Sequence, residues 1–293
     1  MMTVALYGKV LRPEHASYLQ LLIDKLDDKG WKLYIYEPFR KKIEQLVEVK
    51  KSYNVFTDHR ELVGNVEYLF SIGGDGTLLD TITLIRDSGI PVLGINLGRL
   101  GFLSSVPRET IIRAVDDISN GNYFIEERSL LKLDTKEQIF GETNYALNEL
   151  TLHKREAHSM LTIRAAVDGK FVNSYWADGL IVATPTGSTA YSMSCGGPIV
   201  TPNSCNFIIT PIATHNLTVR PIVIPDSSEI TLMVEGRNHN YNLGLDSRYV
   251  SMEKPVELII RKENFSIKLL QLEHEAFFTT IRKKLNWGLD NRN

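Results

Sequence analysis

Between Val4 and Ile118 the chain alternates between two hydrophobic periods. Short apolar runs at Val4–Tyr7, Trp31–Tyr36, Val66–Ile72 and Ile90–Ile95 have the length and composition of strands. Between them Leu19, Leu22, Ile23 and Leu26 lie on one helical face, as do Ile43, Leu46 and Val47. Leu78, Leu79, Ile82 and Ile85 repeat the pattern, and Ile111, Ile112, Val115 and Ile118 repeat it again. Gly30, Gly89 and Gly121 supply stops. Strands and helices in alternation predict parallel βαβ units, with a sheet covered on both faces. After about Tyr123 the pattern changes to short strands at Leu130–Leu133, Leu150–Leu152, Leu161–Val167, Phe171–Tyr175 and Leu180–Ala183. More follow at Phe207–Ile209, Ile230–Val234, Tyr241–Leu245, Val256–Ile260 and Ile267–Leu270, and Asp168-Gly169 marks a hairpin. Phe277, Ile281 and Leu285 return to helical spacing. The expectation is an α/β domain over residues 1–125, joined by a C-terminal helix over 273–293, and a β-rich domain over 126–272.

The strand at Val66–Ile72 breaks abruptly into Gly73-Gly74-Asp75-Gly76-Thr77, and a helical pattern starts at once. A glycine turn at a helix N-terminus leaves backbone N–H groups aimed outward, where phosphate binds well. Asp75 in its middle would repel a bare phosphate. A carboxylate there suits a turn residue, a metal ligand, or a base for a hydroxyl about to be phosphorylated. In α/β folds function gathers at the carboxyl ends of strands. Both Gly73–Thr77 and Asn96–Phe102 fall there.

Composition narrows the class. The chain has 293 residues, 43% of them hydrophobic, and a net charge of −2, which gives no pull toward nucleic acid or an anionic membrane. Two cysteines, Cys195 and Cys205, argue against a disulfide framework and a four-cysteine zinc site. No apolar run approaches the ~20 residues of a membrane span. The opening MMTVALYGKV lacks the layout of a signal peptide, so a cytoplasmic setting is expected.

Three further stretches carry chemistry. In Asp178–Tyr191 a buried strand runs into Thr184-Pro185-Thr186-Gly187-Ser188-Thr189-Ala190-Tyr191, followed by Ser192 and Ser194. Small residues admit a planar ligand, and hydroxyls supply donors and acceptors. Asn148-Glu149 pairs an amide with a carboxylate that can grip ribose hydroxyls or an adenine edge. Pro211–Pro221 contains His215, which by itself reads as structural.

Taken together these stretches resemble the NAD kinase family in order and spacing, and Leu100-Gly101-Phe102 looks like its conserved loop. Phosphofructokinases and diacylglycerol-type lipid kinases share the GGDG turn. The Thr184–Tyr191 block is far more specific. Leu245-Asp246-Ser247-Arg248 departs from an Asp-Gly-Gln found in many members, so no role is carried onto Ser247 or Arg248.

The resemblance implies a Rossmann-like α/β domain and a β-sandwich-like domain, with the dinucleotide lying between them. It implies transfer of the ATP γ-phosphoryl, with a divalent metal such as Mg²⁺, to the 2′-hydroxyl of the adenosine ribose of NAD. Asp75 is the candidate base, with Gly73, Gly74, Gly76 and Thr77 at the phosphates. Phe102 would stand beside a ring. Asn148 and Glu149 would grip the dinucleotide, and Asp178, Thr186, Ser188, Thr189, Ala190, Tyr191 and Ser194 would complete the pocket. Similar proteins are homodimers or homotetramers in which the counterpart of Ala213 reaches a neighbour's ligand. No resident metal site is expected, since no His/Cys cluster has zinc spacing.

Overall fold

A computed structural model describes residues 1–98, 101–156, 159–235, 240–272 and 277–287. The chain divides into two compact units. One comprises Met1–Glu127 and the described residues from Ile267 onward; the other is Arg128–Ser266.

The first unit is built on a parallel sheet. Its strands are β1 (Thr3–Gly8), β2 (Lys32–Tyr36), β3 (Asn54–Phe56), β4 (Tyr68–Ile72) and β5 (Val92–Asn96), in the order β5-β4-β1-β2-β3. The register sets Val4 beside Tyr68, and Leu69 beside Val92. A short β6 (Val106–Pro107) joins β5 in parallel. Helices α1 (Ala16–Asp28), α2 (Glu37–Leu46), α3 (Asp75–Ile85) and α4 (Ile111–Ser119) connect the strands. All five residues of β5 are buried, as befits a parallel strand covered on both faces. Leu22, Ile23 and Leu26 of α1 share one core with Val115 and Ile118 of α4, and with Leu6, Phe70 and Leu93 of the sheet. Lys25 and Lys29 both reach Asp116, at 2.8 and 2.9 Å, which ties α1 to α4 at the surface.

The second unit is antiparallel. Its strands are β7 (Phe124–Asp134, entering from the first unit), β8 (Tyr145–Ala146), β9 (Glu149–Lys154), β10 (Leu161–Val167), β11 (Lys170–Ala177) and β12 (Gly179–Ala183). The four-residue helix α5 (Tyr191–Ser194) follows, then β13 (Asn206–Ile212), β14 (Ile222–Pro225), β15 (Ile230–Glu235), β16 (Tyr241–Leu245), β17 (Arg248–Met252) and β18 (Leu258–Gln271). One sheet has the order β14-β13-β12-β9-β16-β17; in another, β11-β10-β15 continues onto β18. Leu150, Leu152, Leu180 and Val182 of the first share a core with Leu161, Ile163, Ile230 and Leu232 of the second. The opposite face of β12 is also buried: Ile181 and Ala183 cluster with Ile208 and Ile212 of the neighbouring β13, and Cys195 and Val200 pack against them. Gly179 permits this packing, because a Cβ there would lie 2.1 Å from the Leu152 carbonyl oxygen.

Ile267–Leu270 and the last three residues of Val256–Ile260, read as two strands, are parts of one strand, Leu258–Gln271, whose last residues belong to the first unit; Val256 and Glu257 precede it. The α6 helix (Phe277–Leu285) lies within the expected C-terminal helix. Positions 273–276 and 288–293 of that expectation lie outside the described residues. None of the helices among the described residues is long and apolar enough to cross a membrane.

Candidate functional site

In the first unit β4 ends at Ile72, and Gly73 and Gly74 turn the chain into α3, with Gly74 in the N-cap position and Asp75 as first helical residue. The Gly74 carbonyl accepts from the N–H groups of Thr77 and Leu78 at 2.9 and 3.2 Å, which closes the first turn. Gly73 is required sterically, because a Cβ there would lie 2.3 Å from Thr77 Oγ1. Gly74 and Gly76 are exposed, and a Cβ at either would meet nothing within 4 Å. The backbone at these two glycines therefore faces open space, where phosphate oxygens can approach.

The Asp75 carboxylate is held by the loop after β5. Its Oδ2 accepts from the Phe102 N–H at 2.7 Å, and its Oδ1 accepts from Leu103 and Ser104 at 3.0 and 2.9 Å. Three backbone donors fix the direction of this carboxylate. Gly101 makes the approach possible: a Cβ there would sit 1.7 Å from Asp75 Oδ1. This contact is the physical reason for glycine at position 101 of the Leu100-Gly101-Phe102 stretch. Phe102 is half-buried, and the Lys284 ammonium of α6 stands 4.5 Å from its ring centre, a cation–π arrangement. Arg99 and Leu100 lie outside the described residues.

In the second unit the turn from β12 folds onto Asn148-Glu149. The Thr184 N–H donates to the Asn148 carbonyl at 2.9 Å, and the Thr184 hydroxyl donates to the Leu147 carbonyl. Gly187 lies against the same backbone, where a Cβ would be 2.1 Å from the Asn148 oxygen. Several hydroxyls of this block are engaged inward. Ser188 Oγ bridges the N–H and the C=O of Val200, both at 3.2 Å. Ser192 Oγ pairs with Thr210 Oγ1 at 2.8 Å, and Thr189 Oγ1 donates to the Thr186 carbonyl at 3.2 Å. Thr186 accepts from buried Arg128 at 3.4 Å, a partner that no local pattern announces. Tyr191 and Ser194, at the two ends of α5, are exposed, and Ala190 is half-buried. Asp178 is half-buried and pairs with Lys154 at 2.7 Å. Ala213 is exposed just past β13, with φ +45°.

Glu149 has the most unusual environment among these residues. It is 8% exposed, and its Oε2 is a buried acceptor without a hydrogen-bond partner among the described residues. Burial, and then the nearby Asp246 carboxylate, push its pKa up to about 8; an N–H from Tyr191 opposes the shift. Asp246 was not among the residues expected here. Its carboxylate accepts from the N–H groups of Leu147, Asn148 and Glu149 at 2.9, 2.8 and 3.2 Å. Burial raises its pKa, while those three donors and Arg248 pull the other way.

Comparison with known proteins bears on both units. Residues 12–123 match the ATP-NAD kinase N-terminal domain family, and residues 147–272 match the ATP-NAD kinase C-terminal domain family. The chain is 46% identical to an NAD kinase of Cytophaga hutchinsonii over 296 aligned residues, covering 100% of both chains. It is 39% identical to an NAD kinase of Bacteroides fragilis, covering 99% of this chain and 100% of the relative. In fold it is similar to a yeast NADH kinase crystallised with NADH, with TM-score 0.87 at 23% identity, covering 100% of this chain and 89% of that one. It is also similar to an NAD kinase from Archaeoglobus fulgidus in complex with ATP, with TM-score 0.73 at 24% identity, covering 97% and 99% of the two chains. The chain belongs to the ATP-NAD kinase family, phosphotransferases that phosphorylate NAD with ATP as donor.

Proposed function

We propose that Asp75 is the base that accepts the 2′-hydroxyl proton of the adenosine ribose of NAD as the γ-phosphoryl of ATP is transferred to that oxygen. The observation that carries this reading is the Asp75 carboxylate itself, held at the mouth of an open glycine turn by three backbone donors. Those bonds fix its direction, and a base must be held within hydrogen-bond reach of the proton it takes. Oδ2 accepts a single bond from Phe102, which leaves it an acceptor position for a hydroxyl. Phosphoryl transfer asks little covalent chemistry of a protein, so positioning and charge neutralisation supply most of the rate.

Gly73, Gly74, Gly76 and Thr77 serve the phosphates in this proposal. Asn148 and Glu149 grip the dinucleotide. The unpartnered Glu149 Oε2 supports that role, because a buried acceptor gains most from a ligand hydroxyl. Asp178, Thr186, Ser188, Thr189, Ala190, Tyr191 and Ser194 shape the pocket; the inward bonds of Ser188 and Thr189 suit a wall held rigid. Phe102 stands beside a ring of the ligand, exchanging its contact with Lys284 for it.

Among the described residues there is no group of three or more His, Cys, Asp or Glu that could hold a metal ion. The open backbone at Gly74 and Gly76 does fit a triphosphate, and a divalent cation such as Mg²⁺ carried on it would neutralise phosphate charge. We extend the proposal to a cytoplasmic homodimer or homotetramer in which exposed Ala213 reaches a neighbour's ligand. The test is to incubate the parent protein and Asp75→Asn with NAD or NADH and with ATP or polyphosphate, and to score the product with a dehydrogenase that accepts only the 2′-phosphorylated dinucleotide. NADP formed from NAD and ATP by the parent protein, and lost in Asp75→Asn, supports the proposal; a product phosphorylated elsewhere, or none, overturns it.

A further inference from the structure

We propose that the turn between β16 and β17 is a two-pronged brace, in which Asp246 and Arg248 act as positioning residues that set the backbone of the Asn148-Glu149 grip. The inference rests on the dinucleotide-binding reading of that pair. Asp246 takes φ +52° at this turn, which directs its carboxylate back toward the chain entering β9. There it accepts from three consecutive N–H groups, those of Leu147, Asn148 and Glu149, within 2.8–3.2 Å. The Asp246 N–H in turn donates to the Glu149 carbonyl at 3.0 Å. The second prong works on the preceding segment. The Arg248 guanidinium donates to the carbonyls of Thr143 and Tyr145, with its charge 6.0 Å from the Phe140 ring centre. A carboxyl group on N–H groups and a guanidinium on C=O groups hold the stretch 143–149 from one turn.

The brace also reaches the grip electrostatically. Besides the Asp246 carboxylate, Glu149 faces the Tyr191 N–H, and its charge is felt by the Tyr191 phenol and the Cys195 thiol. Asp178, paired with Lys154, acts on Tyr191, and Arg248 acts on Asp246. After burial, Asp246 is the largest influence on the Glu149 proton. Removing its charge therefore moves the Glu149 titration down from about 8.

The experiment compares Asp246→Asn and Arg248→Gln with the parent protein by three readouts. Amide hydrogen exchange at Leu147, Asn148 and Glu149 is measured without ligand, so it reports on the brace even if the kinase reading were to fail. Asp246→Asn is expected to speed exchange at these three amides and to raise KM for NAD roughly tenfold while KM for ATP stays put, the loss of charge-assisted bonds being the cause. It is also expected to lower the pH at which NAD affinity changes. Arg248→Gln is expected to raise KM for NAD severalfold. Unaltered exchange in Asp246→Asn, or equal rises in KM for NAD and ATP, overturns the brace. Should Asp246→Asn fail to fold, an unaltered KM for NAD in Arg248→Gln overturns it instead.

Discussion

Replacing Glu149 with Gln is expected to stabilise the protein and, at the same time, weaken its hold on the dinucleotide. The carboxyl titrates ordinarily at 4.5 and in the folded chain at about 8, chiefly because burial disfavours the charge. Well below the lower value both states carry the proton, and Glu149 costs nothing. As pH rises from there, the unfolded chain loses the proton while the folded chain keeps it. Folding then takes up a proton, so stability falls with pH until the folded carboxyl ionises near 8 and the loss levels off. At ~1.4 kcal/mol per pH unit, the loss is ~3 kcal/mol at pH 7 and ~5 kcal/mol above pH 8. Gln is a neutral isostere without this penalty. Thermal unfolding of both proteins at pH 4, 7 and 9 should show Glu149→Gln gaining nearly nothing at the lowest pH and ~10 °C at the highest. Dinucleotide affinity should move the other way, most clearly above pH 8, because an ionised acceptor facing hydroxyls is worth ~1.5–3 kcal/mol against ~1 for a neutral one. Parallel stability curves for the two proteins would refute the buried, raised carboxyl. Unchanged NAD affinity above pH 8 would remove Glu149 from the grip.

Two further outcomes follow from the first unit. Gly101→Ala should cut turnover by an order of magnitude or more, because its Cβ would fall 1.7 Å from Asp75 Oδ1 and must displace the carboxylate or the loop; steady-state kinetics on a variant with unaltered thermal unfolding is the check. Chelation should abolish ATP-dependent turnover, with Mg²⁺ restoring it, while the unfolding temperature of the nucleotide-free protein stays where it was; a drop in that temperature on chelation would point to a resident ion.

What the sequence discloses depends on the reach of the interactions involved. The βαβ alternation is local: apolar runs such as Val92–Ile95 and one-sided faces such as Leu19-Leu22-Ile23-Leu26 appear in the letters, and the structure places strands and helices there. The strand Arg248–Met252 is not visible in this way. Tyr249 and Ser251 face solvent, and it is held by pairing with Tyr241–Leu245 rather than by its own apolar content. The mainly polar stretch from Arg261 to Ser266 likewise hid the continuity of Leu258–Gln271, which is held by pairing with neighbouring strands. In the site, the glycine turn and Asp75 are legible because a turn chemistry is local. The capture of Asp75 by amides at 102–104, and of the 147–149 amides by Asp246, spans 27–29 and 97–99 residues, beyond any periodicity. The direction of a hydroxyl is equally hidden. Ser188 and Ser192 read as donors toward a ligand, and the fold engages them with Val200 and Thr210.

The most direct test of the account is Asp75→Asn, measured for both turnover and dinucleotide binding on the same preparation. The amide keeps the shape and one acceptor oxygen, and it loses the charge and the base. The account predicts that ATP-dependent formation of NADP falls by several orders of magnitude while the dissociation constant for NAD changes little. A variant that phosphorylates NAD at near the parental rate would contradict the role given to Asp75.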